Sequence, residues 1–172
     1  MTLKTTLAAL IALPAFAVPA LAESTFDLSS PQNAAICAAK ANDRMTAGDL
    51  EGAIAMDCYA EGATLRMFAP GNDEPIMTSD GAPDIYAFIQ ATFEQFGYIG
   101  TQHLVGSIYL TEDVVHSSVH ATHLKPDGSV EIGNAEYVDT VVLDGDEYKI
   151  ANRDVIVVNF SQIEATPVLR SQ

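Results

Sequence analysis

The sequence predicts an α+β domain, in which helices pack on one face of a curved antiparallel sheet. The three predicted helices all lie before Gly97, with one short strand among them. From Tyr98 onward, apolar residues recur at every second position, as in half-buried strands. Turn sequences such as Lys125-Pro126-Asp127-Gly128 divide this second part and favour hairpins between neighbouring strands.

The first 22 residues have the pattern of a cleavable secretory signal. A single charge, Lys4, precedes an apolar run from Leu7 to Ala22 that ends in Ala20-Leu21-Ala22. We expect cleavage after Ala22 and a periplasmic or secreted protein. The rest of the 172-residue chain suits one domain, which we place at residues 33–160 between a lead-in at 23–32 and a tail at 161–172.

The charge balance argues against two classes of partner. The chain has 23 acidic and 8 basic residues and a formal net charge of −15, so nucleic acid and anionic membrane surfaces should repel it. The sequence also lacks a phosphate-binding loop, a nucleotide fingerprint, a serine elbow and a zinc signature. We therefore expect neither a bound cofactor nor classical hydrolysis.

Two helices are predicted on either side of a short turn. Residues 33–45 are alanine-rich, Ala47-Gly48-Asp49 contains a stop and an N-cap, and residues 50–59 resume a helical pattern. Cys37 and Cys58 lie about equally far from Gly48, so folding the helices back on each other brings the two cysteines together. We predict a disulfide, which export would preserve. The alternative is a pair of buried thiols.

The remaining elements follow from periodicity and turn residues. A third helix begins after Asp80 or Gly81 and ends at Gly97. The segment between the first strand and this helix contains Pro70-Gly71-Asn72-Asp73 and is predicted to be a long turn. The predicted strands are residues 63–68, 101–110, 114–124, 130–143 and 148–160.

Short sequence landmarks in this order resemble the NTF2-like superfamily and, within it, the SnoaL-like branch. They extend from residue 34 to about 160. The landmarks are Gly48-Asp49-Leu50, Tyr59-Ala60-Glu61-Gly62-Ala63, Gly81, Gln102-His103-Leu104-Val105-Gly106, Tyr137, Asp139, Asp144-Gly145, Tyr148-Lys149-Ile150 and Arg153.

The resemblance implies three helices on a conical, strongly curved antiparallel sheet that surrounds an apolar pocket. The partner that it implies is a small, mostly apolar molecule. Members include ketosteroid isomerase, scytalone dehydratase, polyketide cyclases, a dehydrochlorinase and non-catalytic binding domains. In the dehydratase and dehydrochlorinase relatives, a histidine at the position of His103 is a catalytic base. Its aspartate partner there lies just before the glycine-aspartate turn, a place that Met45-Thr46-Ala47 occupies here, and the nearest carboxylate, Asp43, lies further back along the helix.

Asp139 is a second candidate acid, because the polyketide cyclases use an aspartate in this part of the sheet. On a regular strand it shares a face with Tyr137 and with small or apolar residues, where an ionised carboxylate needs a partner. Arg153 on the next strand is such a partner, so a structural ion pair is the alternative. On the same rule of alternation, His103 shares a face with Val105, Ser107 and Tyr109.

Three histidines invite a metal hypothesis, but His116, His120 and His123 lie in a β-branched, alternating segment. On a strand, the first two share a face and His123 points away from them, so we predict no metal site and instead a solvated or dimer-facing strand. Strand residues such as Val155 and Val157 offer a surface on which a second copy could pack.

The hypothesis from the sequence is a small-molecule pocket with cofactor-independent proton transfer of the isomerase, dehydratase or cyclase type. His103 is the candidate base, assisted by Asp139 or Asp43. The candidate pocket residues are Tyr59, Phe68, Phe88, Tyr137 and Arg153. The alternative is a non-catalytic binding domain or a dimeric accessory domain of the same fold.

Overall fold

The computed structural model describes residues 26–164 as three helices and six strands. The predicted leader and the residues after 164 lie outside this range. The helices are α1 (Pro31–Thr46), α2 (Leu50–Ala55) and α3 (Ala82–Phe96). The strands are β1 (Tyr59–Phe68), β2 (Met77–Asp80), β3 (Gly100–Thr111), β4 (Val114–Leu124), β5 (Val130–Asp144) and β6 (Glu147–Ile163).

The strands form one sheet in the order β2-β1-β6-β5-β4-β3. The prediction of an α+β fold with three helices is confirmed, but the sheet is mixed rather than wholly antiparallel, because β1 runs parallel to β6. The segment predicted to be one long turn contains β2, which pairs with β1. The β1–β6 pairing joins residues about 90 positions apart, and turn sequences report only local pairings.

The caps of α1 and α2 explain where these helices begin and end. Ser30 accepts a hydrogen bond from the Asn33 amide and is followed by Pro31 at the first helical position. Gly48 adopts a φ of 84° after α1, which favours glycine. The second helix is shorter than predicted and ends at Ala55, because Asp57 has a φ of 53° and Tyr59 already belongs to β1.

The predicted pairing of the two cysteines agrees with the structure. Cys37 on α1 and Cys58 before β1 have their Cα atoms 5.6 Å apart and their sulfurs at bonding distance. Both residues are fully buried. The pair therefore ties α1 to the start of β1 within the core.

The core lies between the helices and the face of the sheet that we call the inner face. Small residues let α1 approach this face closely, since five of its alanines are completely buried: Ala34, Ala35, Ala38, Ala39 and Ala41. Val155 and Val157 line a cavity on the inner face, and the expectation that a second copy packs against these strands stays a prediction. Within residues 26–164, no helix has the length and hydropathy of a transmembrane segment.

Candidate active site

A cavity of about 430 Å³ opens between α3 and the inner face of the sheet. Most of its wall is apolar and includes Phe88, Phe93 and Phe96 on α3, with Phe160 on β6. Two histidines of the sheet, His103 and His123, also line it. The cavity therefore combines an apolar wall with a small set of groups that can bind or release protons.

His103 and Asp43 form a hydrogen-bonded pair at this wall. The Nδ1 atom of His103 lies 2.7 Å from Oδ1 of Asp43, and the His103 backbone amide donates to the same oxygen at 2.9 Å. His103 is 4% exposed. A proton on Nδ1 satisfies this hydrogen bond and leaves Nε2 as the basic nitrogen of the ring. The two residues that were separate candidates in the sequence thus lie together.

Asp43 sits in the last turn of α1, where the helix dipole disfavours a carboxylate. Its neighbours offset this. Thr101 donates to Oδ1 at 3.3 Å, and the Lys40 ammonium lies 3.3 Å from Oδ2. Burial raises the pKa of Asp43, but the hydrogen bond and charge of His103, together with Lys40, outweigh burial and hold the pKa below its ordinary value. Asp43 is therefore ionised at neutral pH.

A bulge in β3 decides which side chains share the inner face with His103. The register against β4 shifts between Gly106 and Tyr109, and Ser107 in the bulge has a φ of 48°. The expectation that Tyr109 lies on the face of His103 is wrong. Tyr109 is 58% exposed and stacks on His116 outside.

His123 lies on the inner face through the regular alternation of β4, and the same bulge brings His103 to that face. His123 lies opposite Thr101 in the β3–β4 register, and its ring is 5.7 Å from that of His103 in an edge-on arrangement. Burial, reinforced by the nearby charge of His103, lowers the pKa of His123 to about 4. His123 is therefore neutral at neutral pH, and its Nδ1 has no hydrogen-bond partner among the described residues.

The other two histidines of β4 lie on the outer face. His120 is exposed and hydrogen-bonds Asn134 at 2.9 Å, and His116 stacks on Tyr109. The prediction that His123 points away from His116 and His120 is confirmed. Within residues 26–164, no three histidine, cysteine or acidic side chains converge as metal ligands.

A polar cluster next to His123 holds one end of the site. The Tyr98 ring stacks on His123 with 4.6 Å between centroids, and the Tyr98 hydroxyl donates to Glu131. Lys125 also donates to Glu131. Burial, followed by the Glu131 carboxylate, raises the pKa of Tyr98. The hydrogen bond fixes the Tyr98 ring, and this ring in turn restricts His123.

Asp139 does not contact the His103–Asp43 pair. It is fully buried in a two-pronged ion pair with Arg153, in which Nε and Nη2 of the arginine each lie 2.7 Å from a carboxylate oxygen. Arg153 also donates to the carbonyl oxygen of Ala35 at 2.9 Å and lies over the Tyr137 ring. Although burial lowers the pKa of Arg153, the Asp139 carboxylate raises it well above its ordinary value. Asp139 therefore forms the structural ion pair that was the alternative, and the proposed chemistry does not use this residue.

Solved structures that resemble this one come from several bacteria. A proposed aromatic ring hydroxylase from Novosphingobium aromaticivorans aligns with a TM-score of 0.61 and 17% identity, over 77% of this chain and 90% of that chain. A proposed scytalone dehydratase from the same organism aligns with a TM-score of 0.55 and 18% identity, over 82% and 92%. An NTF2-like protein of unknown function from an Exiguobacterium species aligns with a TM-score of 0.54 and 14% identity, over 72% and 97%.

This chain has the NTF2-like fold. No family model and no curated protein matches the sequence. Identities below 20% establish a shared architecture and say nothing of a shared reaction. The chemistry of this NTF2-like domain must therefore be argued from its own side chains.

Four of the five predicted pocket residues line the cavity of the NTF2-like domain, namely Tyr59, Phe88, Tyr137 and Arg153. The fifth, Phe68, is not among the lining residues, because its neighbour Met67 faces the cavity instead. The Phe68 ring lies 5.7 Å from the Arg66 guanidinium. Alternation along β1 thus places Phe68 on the other face.

Sequence reasoning missed two residues that line the cavity, Asn42 and His123. The side-chain Oδ1 of Asn42 is buried and has no hydrogen-bond partner among the described residues. The sequence feature that could have identified Asn42 is its position next to Asp43 on a helix otherwise rich in alanine. Unpartnered buried polar atoms are uncommon in folded proteins, and at a cavity wall they indicate contact with a ligand or water.

We expect the neutral state of His123 to make the fold less stable in acid. The unfolded chain takes up a proton near the ordinary histidine value of 6.5, whereas folded His123 resists protonation down to about 4. Stability is therefore lost as the pH falls through this window. The contribution is about 2 kcal/mol, after a discount for partial solvation from the full linkage value. Denaturant unfolding at pH 7 and pH 4 measures it.

The variant His123→Phe tests this expectation, since it should reduce the difference in unfolding free energy between the two pH values. His120→Gln is the matched control, because the exposed His120 should contribute little to that difference. If both variants keep the full pH dependence of the natural sequence, the expectation is wrong.

Proposed function

We propose that this protein is a cofactor-independent proton-transfer enzyme, with His103 as the base and Asp43 as its orienting partner. The single observation that carries the proposal is the His103–Asp43 hydrogen bond of 2.7 Å at the wall of an apolar cavity. A histidine titrates near neutral pH, and a neighbouring carboxylate fixes its tautomer and stabilises the imidazolium that forms when it takes a proton.

The reaction class is an isomerisation or a dehydration. Nε2 of His103 removes a proton from a carbon next to a carbonyl group, and the electron pair of that C–H bond moves onto the carbonyl oxygen as an enolate. In an isomerisation, the imidazolium returns the proton to a different carbon. In a dehydration, a hydroxyl on the neighbouring carbon leaves with the proton as water, and a carbon–carbon double bond forms. Neither course needs an oxidant, a reductant or a second substrate.

The ligand that suits the cavity is small, mostly apolar and uncharged. Apolar and aromatic side chains line most of the wall, and Arg153, the cation among the described lining residues, is already paired with Asp139. A carboxylate or phosphate on the ligand would therefore enter an apolar space without a free counter-charge, which is costly. Asn42 Oδ1 has no hydrogen-bond donor among the described residues and suits a hydroxyl of the ligand. His123 Nδ1 can accept from a hydroxyl or, when it carries the ring proton, donate to a carbonyl.

Export is part of the proposal. The signal pattern of residues 1–22 supports it, as does the cysteine pair at disulfide distance, since disulfides persist outside the cytoplasm. The substrate would then be met in the periplasm or outside the cell.

The test is a screen of enolisable ketones and β-hydroxy ketones with the mature chain, in which product formation is followed by absorbance or mass spectrometry. We expect turnover by the natural sequence and none by His103→Ala, with the fold of the variant checked by circular dichroism. Equal turnover by both proteins would contradict the role of His103.

A non-catalytic binding domain is the second candidate, and the apolar cavity itself favours it. It predicts that both proteins bind the same compounds, as seen by fluorescence or calorimetry, while neither forms product. Ligand binding without turnover across the screen would therefore move the assignment to this candidate.

A further inference from the structure

Lys40 occupies an unusual place behind the His103–Asp43 pair. Its ammonium lies 3.3 Å from Oδ2 of Asp43, the oxygen that His103 does not use, and also donates to the backbone carbonyl of His103 at 3.3 Å. It is not among the residues that line the cavity. Lys40 therefore contacts both members of the pair without access to a ligand in the cavity.

We propose that Lys40 is a positioning residue that sets the basicity of His103 through the shared carboxylate of Asp43. The inference rests on the proposed function, because it concerns the same base. Asp43 divides its negative charge between two cations when His103 is protonated. Lys40 thereby reduces the stabilisation that Asp43 gives to the protonated His103 ring. A larger fraction of His103 then stays in the free-base form.

The charged and titratable groups around the pair are few. His103 on β3 contacts Asp43 through its ring. The Thr101 hydroxyl also contacts Asp43, and the Thr46 hydroxyl contacts that of Thr101. His123 on β4 faces the ring of His103 and is neutral, since burial lowers its pKa to about 4.

Tyr137 on β5 is also neutral, because burial raises its pKa to about 12, and Asp43 adds a minor contribution to that shift. Arg153 is matched by Asp139. Among the described residues, two basic side chains therefore contact Asp43 directly, namely Lys40 and His103.

The geometry also restrains the pair. The side chain of Lys40 links α1 to the backbone of β3, in parallel with the Thr46–Thr101 hydrogen bond of 3.0 Å. A lysine one turn before a carboxylate on a helix is otherwise an ordinary exposed ion pair of small energy. The second contact, to the His103 carbonyl, distinguishes Lys40 from such a pair.

The test compares Lys40→Met, Lys40→Arg and Arg44→Met by NMR titration of the His103 ring signals, with no ligand present. Arg44 is the matched control, since it lies on the same helix at similar exposure but pairs with Asp49 instead of Asp43. We expect Lys40→Met to raise the titration midpoint of His103 by about half a pH unit, as for a charge a few ångströms away at a partly solvated site. Arg44→Met and Lys40→Arg should stay close to the natural sequence.

A His103 midpoint that is the same in Lys40→Met and in Arg44→Met would overturn the inference. This readout needs no turnover, so it stands even where the screen finds no substrate. Where a substrate is found, the acidic limb of kcat/KM should move to higher pH by the same amount in Lys40→Met. A uniform loss of rate at every pH, without a moved limb, would indicate a structural role and would also overturn it.

Discussion

The variant Arg153→Met should lose about 3–5 kcal/mol of unfolding free energy, the range typical of breaking one side of a buried ion pair. Arg153 is 1% exposed and Asp139 is completely buried. Removal of the guanidinium leaves a carboxylate with no counter-charge and takes a hydrogen bond from the Ala35 carbonyl. Denaturant unfolding followed by circular dichroism measures the loss.

A double variant keeps this expectation testable where the single variant does not fold. Arg153→Met combined with Asp139→Leu removes the stranded charge, and we expect it to recover much of the lost stability. Arg66→Met is the matched control, because the Arg66–Asp154 pair has the same two-pronged geometry but its arginine is 40% exposed. That variant should lose no more than about 1 kcal/mol. A double variant no more stable than the single one would show that charge burial is not the cause.

The fold class was predictable because its signals are local. Helix ends at Ser30, Gly48 and Gly97 and the hairpin turn at Lys125-Pro126-Asp127-Gly128 specify their own conformations over a few residues. Strand β4 is predicted with the bounds that the structure gives. The pairing of β1 with β6 was not predictable, since it depends on packing between distant parts of the chain.

In the candidate site too, some features were predictable from the sequence and others depend on pairing between distant residues. His103 was identified by resemblance, and the Asp139–Arg153 alternative followed from alternation on neighbouring strands. The shared face of His103 and His123 depends on the bulge at Ser107, because this shift of one residue turns His103 to the face on which β4 already places His123. An unbulged β3–β4 hairpin would have kept His123 away from His103. Strand alternation cannot locate such a bulge when its residues are not glycine.

The contact between Asp43 and His103 was also beyond the reach of sequence spacing. The carboxylate lies nearer to the middle of the helix than the resemblance implies, but α1 continues to Thr46 and its alanine face lets it lie close against β3. The hydrogen bonds of Thr46 and Thr101 then fix the end of the helix to the strand. Helix length and approach distance together bring Asp43 to His103.

The variant Asp43→Asn should lower kcat by roughly a hundredfold to ten-thousandfold on any substrate that the screen identifies, as for other carboxylates that orient a histidine base. An amide has nearly the shape of the carboxylate but carries no charge to stabilise the imidazolium. Its NH₂ group can also donate to Nδ1 of His103, which would place the proton on Nε2 and abolish the base. The measurement is steady-state kinetics over a pH range, with the unfolding free energy measured beside it.

Asp49→Asn is the control for this variant, because Asp49 is a nearby carboxylate that caps α2 and pairs with Arg44, outside the cavity lining. It should keep the natural kcat within about twofold, although the loss of its charge at the helix N-terminus costs some stability. The decisive comparison is between kcat and stability. If Asp43→Asn loses rate only in proportion to lost folded protein, or loses none, then Asp43 does not orient the base and His103 must act without it.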